Sequence, residues 1–175
     1  SYLNDFARLI RLILQNSRAK FIPIREELEA LELYLQLESL RFTDKFEYSI
    51  DVDPEVNIND LEVPPMIIQP YVENAIWHGL IPKKKPGKIN IKISISDGIL
   101  TCTIEDNGIG RKQSAEINSR RKHDKPKSMG MAITSERIEM LNRLYKNNTT
   151  IDIIDKENPD GTSGGTRVEL NIPVE

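Results

Sequence analysis

The chain has 175 residues, with 24 Lys and Arg against 27 Asp and Glu, so its formal net charge is −3. This length indicates one domain with at most a small attached element, and a weakly acidic chain is not typical of proteins that bind nucleic acid non-specifically, so we expect no nucleic-acid partner. The single cysteine, Cys102, excludes an internal disulfide framework, and no run of 18 apolar residues is present that could span a membrane.

Two amphipathic helices are predicted at the start of the chain. The first runs from Leu3 to Ser17, where apolar residues recur every three or four positions. The second runs from Ile24 to Phe42 and is apolar on two sides, so it needs two packing partners. We interpret the pair as a helical hairpin that also packs on another part of the chain. Because the chain starts inside a helix without a methionine, we expect it to be a piece of a longer protein.

The remainder predicts a sheet with interspersed helices. Alternating apolar residues indicate strands at Phe46 to Val52, Ile89 to Ile95, Leu100 to Ile104, Ile151 to Ile154 and Arg167 to Ile172. Asp97-Gly98 is typical of a two-residue hairpin turn. Helices are predicted from Met66 to His78 and from Met131 to Tyr145, and the stretch from Gly108 to Ser128 is predicted to be a long loop because it lacks apolar periodicity.

The segment from Gln69 to Gly79 is the first candidate site. Glu73, Asn74 and His78 lie close together near the end of its helix, and the carboxylate and the amide offer oxygen ligands of the kind that magnesium prefers. The simpler interpretation of this segment alone is a helix with a solvated polar face that ends at Gly79.

The segment Asp106-Asn107-Gly108-Ile109-Gly110 follows a predicted strand and is the second candidate. Its glycines would let the backbone approach a ligand closely, and a carboxylate at a strand end can accept hydrogen bonds from the amino group of a base. Asp-Asn-Gly is equally ordinary turn chemistry, so a simple tight turn remains open.

The long loop is the third candidate because it is strongly basic. Seven Lys and Arg against two acidic residues give 7 − 2 = +5, the basic residues being Arg111, Lys112, Arg120, Arg121, Lys122, Lys125 and Lys127. Such a loop fits a lid over a polyphosphate, or a solvated insert without function. Gly130 opens the next predicted helix, whose free N–H groups suit an anion.

The order of these parts resembles the ATP-binding fold shared by histidine kinases, Hsp90-type chaperones, gyrase B and MutL-type proteins. The Gln69 to Gly79 segment resembles its N box, Asp106 to Gly110 its G1 box, Ser128 to Met131 its G2 box, and Gly165-Thr166 its closing Gly-Thr. Within that superfamily, the chain resembles LytS-like sensor histidine kinases in the segments Ile24 to Leu28, Tyr34 to Glu38, Arg41-Phe42 and Pro64 to Pro70.

The resemblance implies an α+β fold. We expect a two-layer α/β sandwich, with a mixed and mostly antiparallel sheet covered by helices on one face, preceded by a helical hairpin. Residues 1–43 would be the C-terminal part of a dimerisation and phosphoacceptor domain, and residues 44–175 an ATP-binding catalytic domain.

The resemblance also assigns site residues. Asn74 would hold magnesium against the triphosphate, Asp106 would receive the adenine amino group, and Thr166 would lie behind the adenine. Glu73 is the nearest carboxylate to act as a catalytic base, although one residue along a helix turns about 100° away. The remaining expected nucleotide-binding residues are His78, Asn107, Gly108, Gly110, Lys125, Lys127, Gly130 and Met131.

The implied activity is that of an ATP-dependent protein-histidine kinase with Mg²⁺ as its metal. The γ-phosphoryl would pass to a histidine upstream of this chain and then to the receiver domain of a response regulator. The protein would be a homodimer, and the chain the cytoplasmic portion of an inner-membrane protein. Because Pro70 and Ser128 depart from the wider family pattern, a nucleotide-binding or dimerising module without phosphotransfer is the alternative. A third hypothesis, an ATPase of the chaperone or MutL type, predicts ATP hydrolysis by the isolated domain.

Overall fold

The computed structural model describes residues 1–120, 129–146 and 148–174. Its α-helices are α1 (Tyr2–Asn16), α2 (Ile24–Arg41), α3 (Gln69–Asn74), α4 (Gly110–Arg120) and α5 (Met129–Tyr145), and a π-helical segment, Ala75–Leu80, continues α3. Its strands are β1 (Ile22–Pro23), β2 (Phe46–Val52), β3 (Glu62–Val63), β4 (Gly87–Ser96), β5 (Ile99–Asp106), β6 (Thr150–Glu157) and β7 (Ser163–Pro173). Among these residues, none of the helices has the length and hydropathy that crossing a bilayer requires.

Helix α2 packs on both sides, which confirms the prediction from its two apolar stripes. On one side, Leu33 and Leu37 pack against Leu9 of α1. On the opposite side, Leu31 and Leu35 are fully buried in the main core. The helix therefore joins the hairpin to the sheet domain through apolar contacts along much of its length.

The main sheet has the strand order β2-β4-β5-β7-β6, in which β2 pairs parallel to β4 and the other neighbours pair antiparallel. This confirms the predicted mixed, mostly antiparallel sheet. Ile89, Ile91 and Ile93 of β4 are fully buried on one face, whereas the residues between them are exposed. The helices therefore cover a single face of the sheet. Asp97 and Gly98 form the predicted turn between β4 and β5, both with positive φ.

The predicted long loop is wrong for residues 110–120, which form α4. Gly110 is its one buried residue, so an apolar stripe never marks it in the sequence. Its composition of Arg, Lys, Gln, Ala and Glu nevertheless favours a helix. Tertiary contacts also hold its start, because the Arg111 guanidinium pairs with Asp155 of β6 through two bonds of 2.8 Å. Residues 121–128 of the predicted loop lie outside the described residues.

The helix predicted from Met66 starts later, at Gln69. Met66 has a φ of +60°, which no α-helix contains, so residues 64–68 form an irregular entry loop. Pro70 lies in the first turn of α3, where its missing N–H would have no helical partner. Strands β1 and β3, which the sequence did not predict, pair antiparallel and bring the segment before this loop against the start of α2.

Candidate functional site

A cavity of about 310 Å³ opens between α3, the π-helical segment, α4 and strands β5 and β7. Asn74, His78, Asp106, Gly110 and Thr166 are among the residues that line it. The first candidate segment, which is distant in the sequence from the adjoining second and third, thus meets residues of both around one concave site. A cavity with an apolar wall and a few convergent polar groups is typical of a small-molecule site.

Asp106 provides the buried charge of this cavity. It ends β5 with only 4% of its surface exposed, and its Oδ1 accepts a hydrogen bond of 2.8 Å from the Gly108 N–H. Burial raises the pKa of this carboxyl to about 6, although the N–H groups of Gly108 and Thr166 and the Lys156 cation oppose the increase. Above that pH the side chain is an ionised acceptor facing the cavity.

The first two candidate segments pack backbone against backbone. The Ile109 N–H donates to the Gly79 carbonyl over 3.0 Å. A Cβ on Gly108 would lie 2.4 Å from the Gly79 carbonyl carbon, so only glycine fits there. On the neighbouring strand, Gly165 has a φ of +104°, and a Cβ there would lie 2.1 Å from the Asp106 carbonyl oxygen. The glycines therefore let three backbone segments converge on Asp106.

The π-helical segment explains how neighbouring residues serve different surfaces. The Ile81 N–H donates to the Ile76 carbonyl oxygen over 2.9 Å, a bond that spans five residues. π-Helical turns are rare and occur frequently at functional sites. Here His78 lines the cavity, whereas the neighbouring Trp77 ring packs edge-on against Phe42. The Arg41 guanidinium lies 5.2 Å from the centroid of the Trp77 ring.

Asn74 and Glu73 face different surroundings. Asn74 lines the cavity, but Glu73 is not among its lining residues. The Glu73 Oε1 accepts a hydrogen bond of 3.2 Å from Gln69. The pKa of Tyr34 on α2 is raised mainly by burial, and the charges of Glu38 and Glu73 add to this increase. Burial raises the pKa of Glu73 itself. The carboxylate therefore lies towards α2, as the rotation of about 100° per helical residue requires, and its predicted catalytic role gains no geometric support.

The other predicted site residues fall into three groups. Gly110 lines the cavity and has a φ of +83°. Asn107 stabilises the turn: its Oδ1 accepts a hydrogen bond from the Lys88 N–H, and its carbonyl oxygen accepts one from Lys83 Nζ. Gly130 and Met131 lie in the first turn of α5. Lys125 and Lys127 lie outside the described residues, as does Ser128.

Sequence reasoning missed the contribution of α4 to the cavity. This helix lines the cavity with Arg111, Ser114, Ala115 and Asn118. Their spacing of three, four and seven residues places them on one face of the helix, but polar residues also occupy its other faces, so no periodic pattern marks this stripe in the sequence.

A metal ion would need ligands from a bound molecule as well as from the protein. Among the described residues, no cluster of three or more His, Cys, Asp or Glu could hold a metal on its own. Asn74, whose side chain carries an amide oxygen, lines the cavity, and Mg²⁺ commonly combines few protein oxygens with phosphate oxygens and water. The residues present therefore fit a magnesium ion that arrives with a polyphosphate.

Comparison with known proteins matches both parts of the chain. Residues 62–175 match the family described as histidine kinase-, DNA gyrase B- and HSP90-like ATPase, and residues 1–46 match the family described as histidine kinase. Sensor protein LytS of Bacillus anthracis is 30% identical over 93% of this chain and 26% of its own length. Sensor protein LytS of Enterococcus faecalis is 29% identical over 99% of this chain and 28% of its own length. The chain thus spans about a quarter of these relatives.

Solved structures share the fold. The catalytic domain of histidine kinase ThkA has a TM-score of 0.58 at 15% identity, over 89% of this chain and 98% of that one. The histidine kinase domain of a blue-light activated histidine kinase from Erythrobacter litoralis has a TM-score of 0.56 at 15% identity, over 99% of this chain and 75% of that one.

Proposed function

The chain belongs to the histidine kinase-, DNA gyrase B- and HSP90-like ATPase family, and we propose that it is the ATP-binding catalytic region of a LytS-type sensor histidine kinase. In this proposal it transfers the γ-phosphoryl of ATP to a histidine, from which a response regulator receives it. The observation that carries the proposal is the cavity that joins Asn74 to Asp106. The Asp106 carboxylate would bind the base, and the Asn74 amide would hold the metal at the phosphates. Together they suit the two ends of a nucleotide.

Asp106 recognises the adenine in this proposal. Its ionised carboxylate accepts a hydrogen bond from the exocyclic amino group, a bond to a charged acceptor in a site with little water. Thr166 supports this role because it pairs with Asp106 across β5 and β7 and lines the same cavity. The Thr166 N–H holds the carboxylate in place by donating to it. The apolar wall, which includes Ile104 and Val168, would pack against the base.

The triphosphate lies towards Asn74 and the start of α5 in this proposal. Asn74 would hold Mg²⁺, which supplies neutralisation of the phosphate charge when bound. Gly130 and Met131 belong to the first helical turn of α5, where backbone N–H groups lack helical acceptors and suit phosphate oxygens. Phosphoryl transfer depends mainly on positioning and charge stabilisation. These groups therefore suffice for the reaction, and no residue of the nucleotide site needs to form a covalent bond with the phosphoryl group. We also propose that Lys125 and Lys127 reach the phosphates.

The phosphoacceptor histidine lies upstream of this chain in our proposal. Neither of the two histidines of this chain belongs to α1. His78 lines the nucleotide cavity, where it would contact ATP rather than accept its phosphoryl group, and His123 lies outside the described residues. Residues 1–43 would then be the end of the dimerisation and phosphoacceptor domain, and residues 44–175 the catalytic domain. The chain would be the cytoplasmic portion of an inner-membrane sensor, the side on which ATP is available.

A homodimer is part of the proposal. The face of α1 that points away from α2 is apolar and exposed through Tyr2, Leu3, Phe6, Ile10 and Leu14. Such a stripe on a helix that already packs on one side marks an interaction surface. A second copy, presenting the same stripe, would complete a four-helix arrangement.

Nucleotide binding by Asp106→Asn tests the proposal. Calorimetry should show ATP affinity reduced by about tenfold or more, because the neutral amide loses the charge-assisted bond. Asp97→Asn is the matched control, since it makes the same charge change in the turn at the other end of β5 and should leave the affinity unchanged. An ATP affinity of Asp106→Asn equal to that of the parent chain would reject the adenine role.

A longer chain that includes the upstream histidine tests phosphotransfer with γ-labelled ATP. Labelled phosphohistidine, followed by label on a receiver domain, supports the kinase. Nucleotide binding without label would support the alternative, a signalling module that has lost phosphotransfer. ATP hydrolysis by the present chain alone would instead indicate an ATPase of the chaperone or MutL type.

A further inference from the structure

Two charged side chains outside the cavity hold the loop that leads into α3. The first is Glu27 of α2, which is only 2% exposed. Its Oε2 accepts from the Met66 N–H over 2.9 Å, and its Oε1 accepts from the Ile68 N–H over 3.2 Å. Because Pro64 and Pro65 have no N–H, Met66 is the first residue after them that can donate. Both oxygens of one buried carboxylate are therefore used to hold this loop.

The second is Arg137 of α5, which binds the same loop. Its guanidinium donates to the Pro65 carbonyl oxygen and, over 3.3 Å, to the Met66 carbonyl oxygen. Met66 is thus held at both ends, its N–H by Glu27 and its carbonyl by Arg137. Its φ of +60° is uncommon for a residue other than glycine and persists where surrounding contacts determine it.

The two charges depend on each other. Burial raises the pKa of Glu27 and lowers the pKa of Arg137, so each group is costly to keep charged alone. The Arg137 cation acts against the increase at Glu27, and the Glu27 anion acts against the decrease at Arg137. Removing one partner therefore leaves the other with only its hydrogen bonds to the backbone of the loop to stabilise its charge.

Glu27 and Arg137, which together we call the clamp, lie between three functional parts of the chain: α2, α3 and α5. The loop leads directly into α3, which carries Asn74, while Arg137 lies two turns along α5 from Gly130. Glu27 belongs to α2, the helix that packs on both α1 and the main core. A displacement of α2 would therefore reach both proposed phosphate-binding elements through one pair of side chains.

We propose that Glu27 and Arg137 are positioning residues that hold α3 and α5 in register, so that Asn74 and the first turn of α5 face the same triphosphate. This inference rests on the proposed function. Neither residue lines the cavity, so both act through the loop of residues 64–68. A clamp that serves only folding would lower stability without changing how the nucleotide's phosphates are bound.

Nucleotide affinity separates these two roles. Glu27→Gln and Arg137→Met are compared with Glu26→Gln and Arg143→Met, which make the same charge changes at the preceding position of α2 and at an exposed position of α5. Calorimetry at a temperature where every variant is folded should show ATP binding weakened by about five- to a hundredfold, while adenosine binding changes much less. Arg137→Lys, which keeps a cation that can donate to the two carbonyl oxygens, should recover part of the loss.

An unchanged ratio of ATP to adenosine affinity in both variants, with only a lower melting temperature, would overturn the inference. Hydrogen exchange on the nucleotide-free chain gives a second readout that does not depend on the proposed function. Glu27→Gln and Arg137→Met should raise deuterium uptake in residues 69–80, and Glu26→Gln should not. If the parent chain binds no ATP, the proposed function fails, and unchanged uptake in residues 69–80 would by itself overturn the clamp.

Discussion

Asp106 and Gly79 lie so close together that a Cβ built on Gly79 would stand 3.0 Å from Asp106 Oδ1. The carboxylate is fixed in this position because the N–H groups of Gly108 and Thr166 donate hydrogen bonds to it. The Gly79 backbone therefore forms part of the surface that fixes the direction of this acceptor. A side chain at position 79 would therefore disturb the proposed contact of Asp106 with adenine before it disturbed the packing of the sheet.

Gly79→Ala should consequently weaken ATP binding by about tenfold, since a carboxylate displaced by a few tenths of an ångström loses hydrogen-bond geometry. Isothermal calorimetry measures the effect. Gly161→Ala is the control, because a Cβ at position 161 meets no atom within 4 Å and the site is untouched, although its φ of +82° costs some stability. Equal ATP affinities for the two variants would contradict the proposed contact.

The raised pKa of Asp106 predicts opposite effects of pH on stability and on binding. Between its ordinary pKa of 3.8 and its folded value of about 6, the folded chain keeps a proton that the unfolded chain has lost. The contribution of Asp106 to stability is therefore complete below the lower value and is lost as pH rises through about 6. Asp106→Asn should gain melting temperature relative to the parent chain across that window.

ATP affinity should follow the opposite trend. Adenine recognition needs the ionised acceptor, so the affinity of the parent chain should fall as pH drops below about 6, whereas that of Asp106→Asn should lack this inflection. Thermal denaturation and calorimetry over the same pH series measure both effects. A parent chain whose ATP affinity is flat across this range would argue against the carboxylate as the adenine acceptor.

Neighbouring residues of α3 should behave differently towards magnesium. Asn74→Ala should abolish most of the gain in ATP affinity that Mg²⁺ provides, because it removes the side-chain amide that is proposed to hold the metal in the cavity. Glu73→Gln should keep that gain, since Glu73 lies towards Gln69 and α2. Titrations with ATP in magnesium and in a chelator give the comparison, and a Glu73→Gln variant that lost the magnesium effect would show that Glu73 acts at the metal and contradict this prediction.

The exposed stripe of α1 should control association. Phe6→Glu and Ile10→Glu place charges on an apolar face whose present residues are 48% and 41% exposed, so they should weaken dimerisation without unfolding the chain. Sedimentation velocity measures the shift from dimer to monomer. Ser96→Glu at the exposed end of β4 adds the same single negative charge and is a suitable control. Unchanged dimers in both α1 variants would place the interface elsewhere.

Local patterns in the sequence predicted the elements whose burial is periodic. The alternation of Ile89, Ile91 and Ile93 identified β4 because every second side chain of a strand faces the same side. The two stripes of α2 identified a helix with two partners for the same reason, and both partners are present. The candidate residues Asn74 and Asp106 also came from the sequence, because their chemistry and their order resemble a known ATP-binding pattern.

Tertiary structure decided the features that have no periodic pattern of apolar residues in the sequence. Helix α4 is polar and partly fixed by Arg111 and Asp155, so its helical state depends on a partner strand as well as on its own composition. The clamp of Glu27 and Arg137 joins side chains to backbone atoms of a loop far from both in the chain. Periodic burial depends on residues that are close together in the chain, so it can be predicted from the sequence alone. Contacts between distant polar groups depend on how the elements pack, so only the folded chain reveals them.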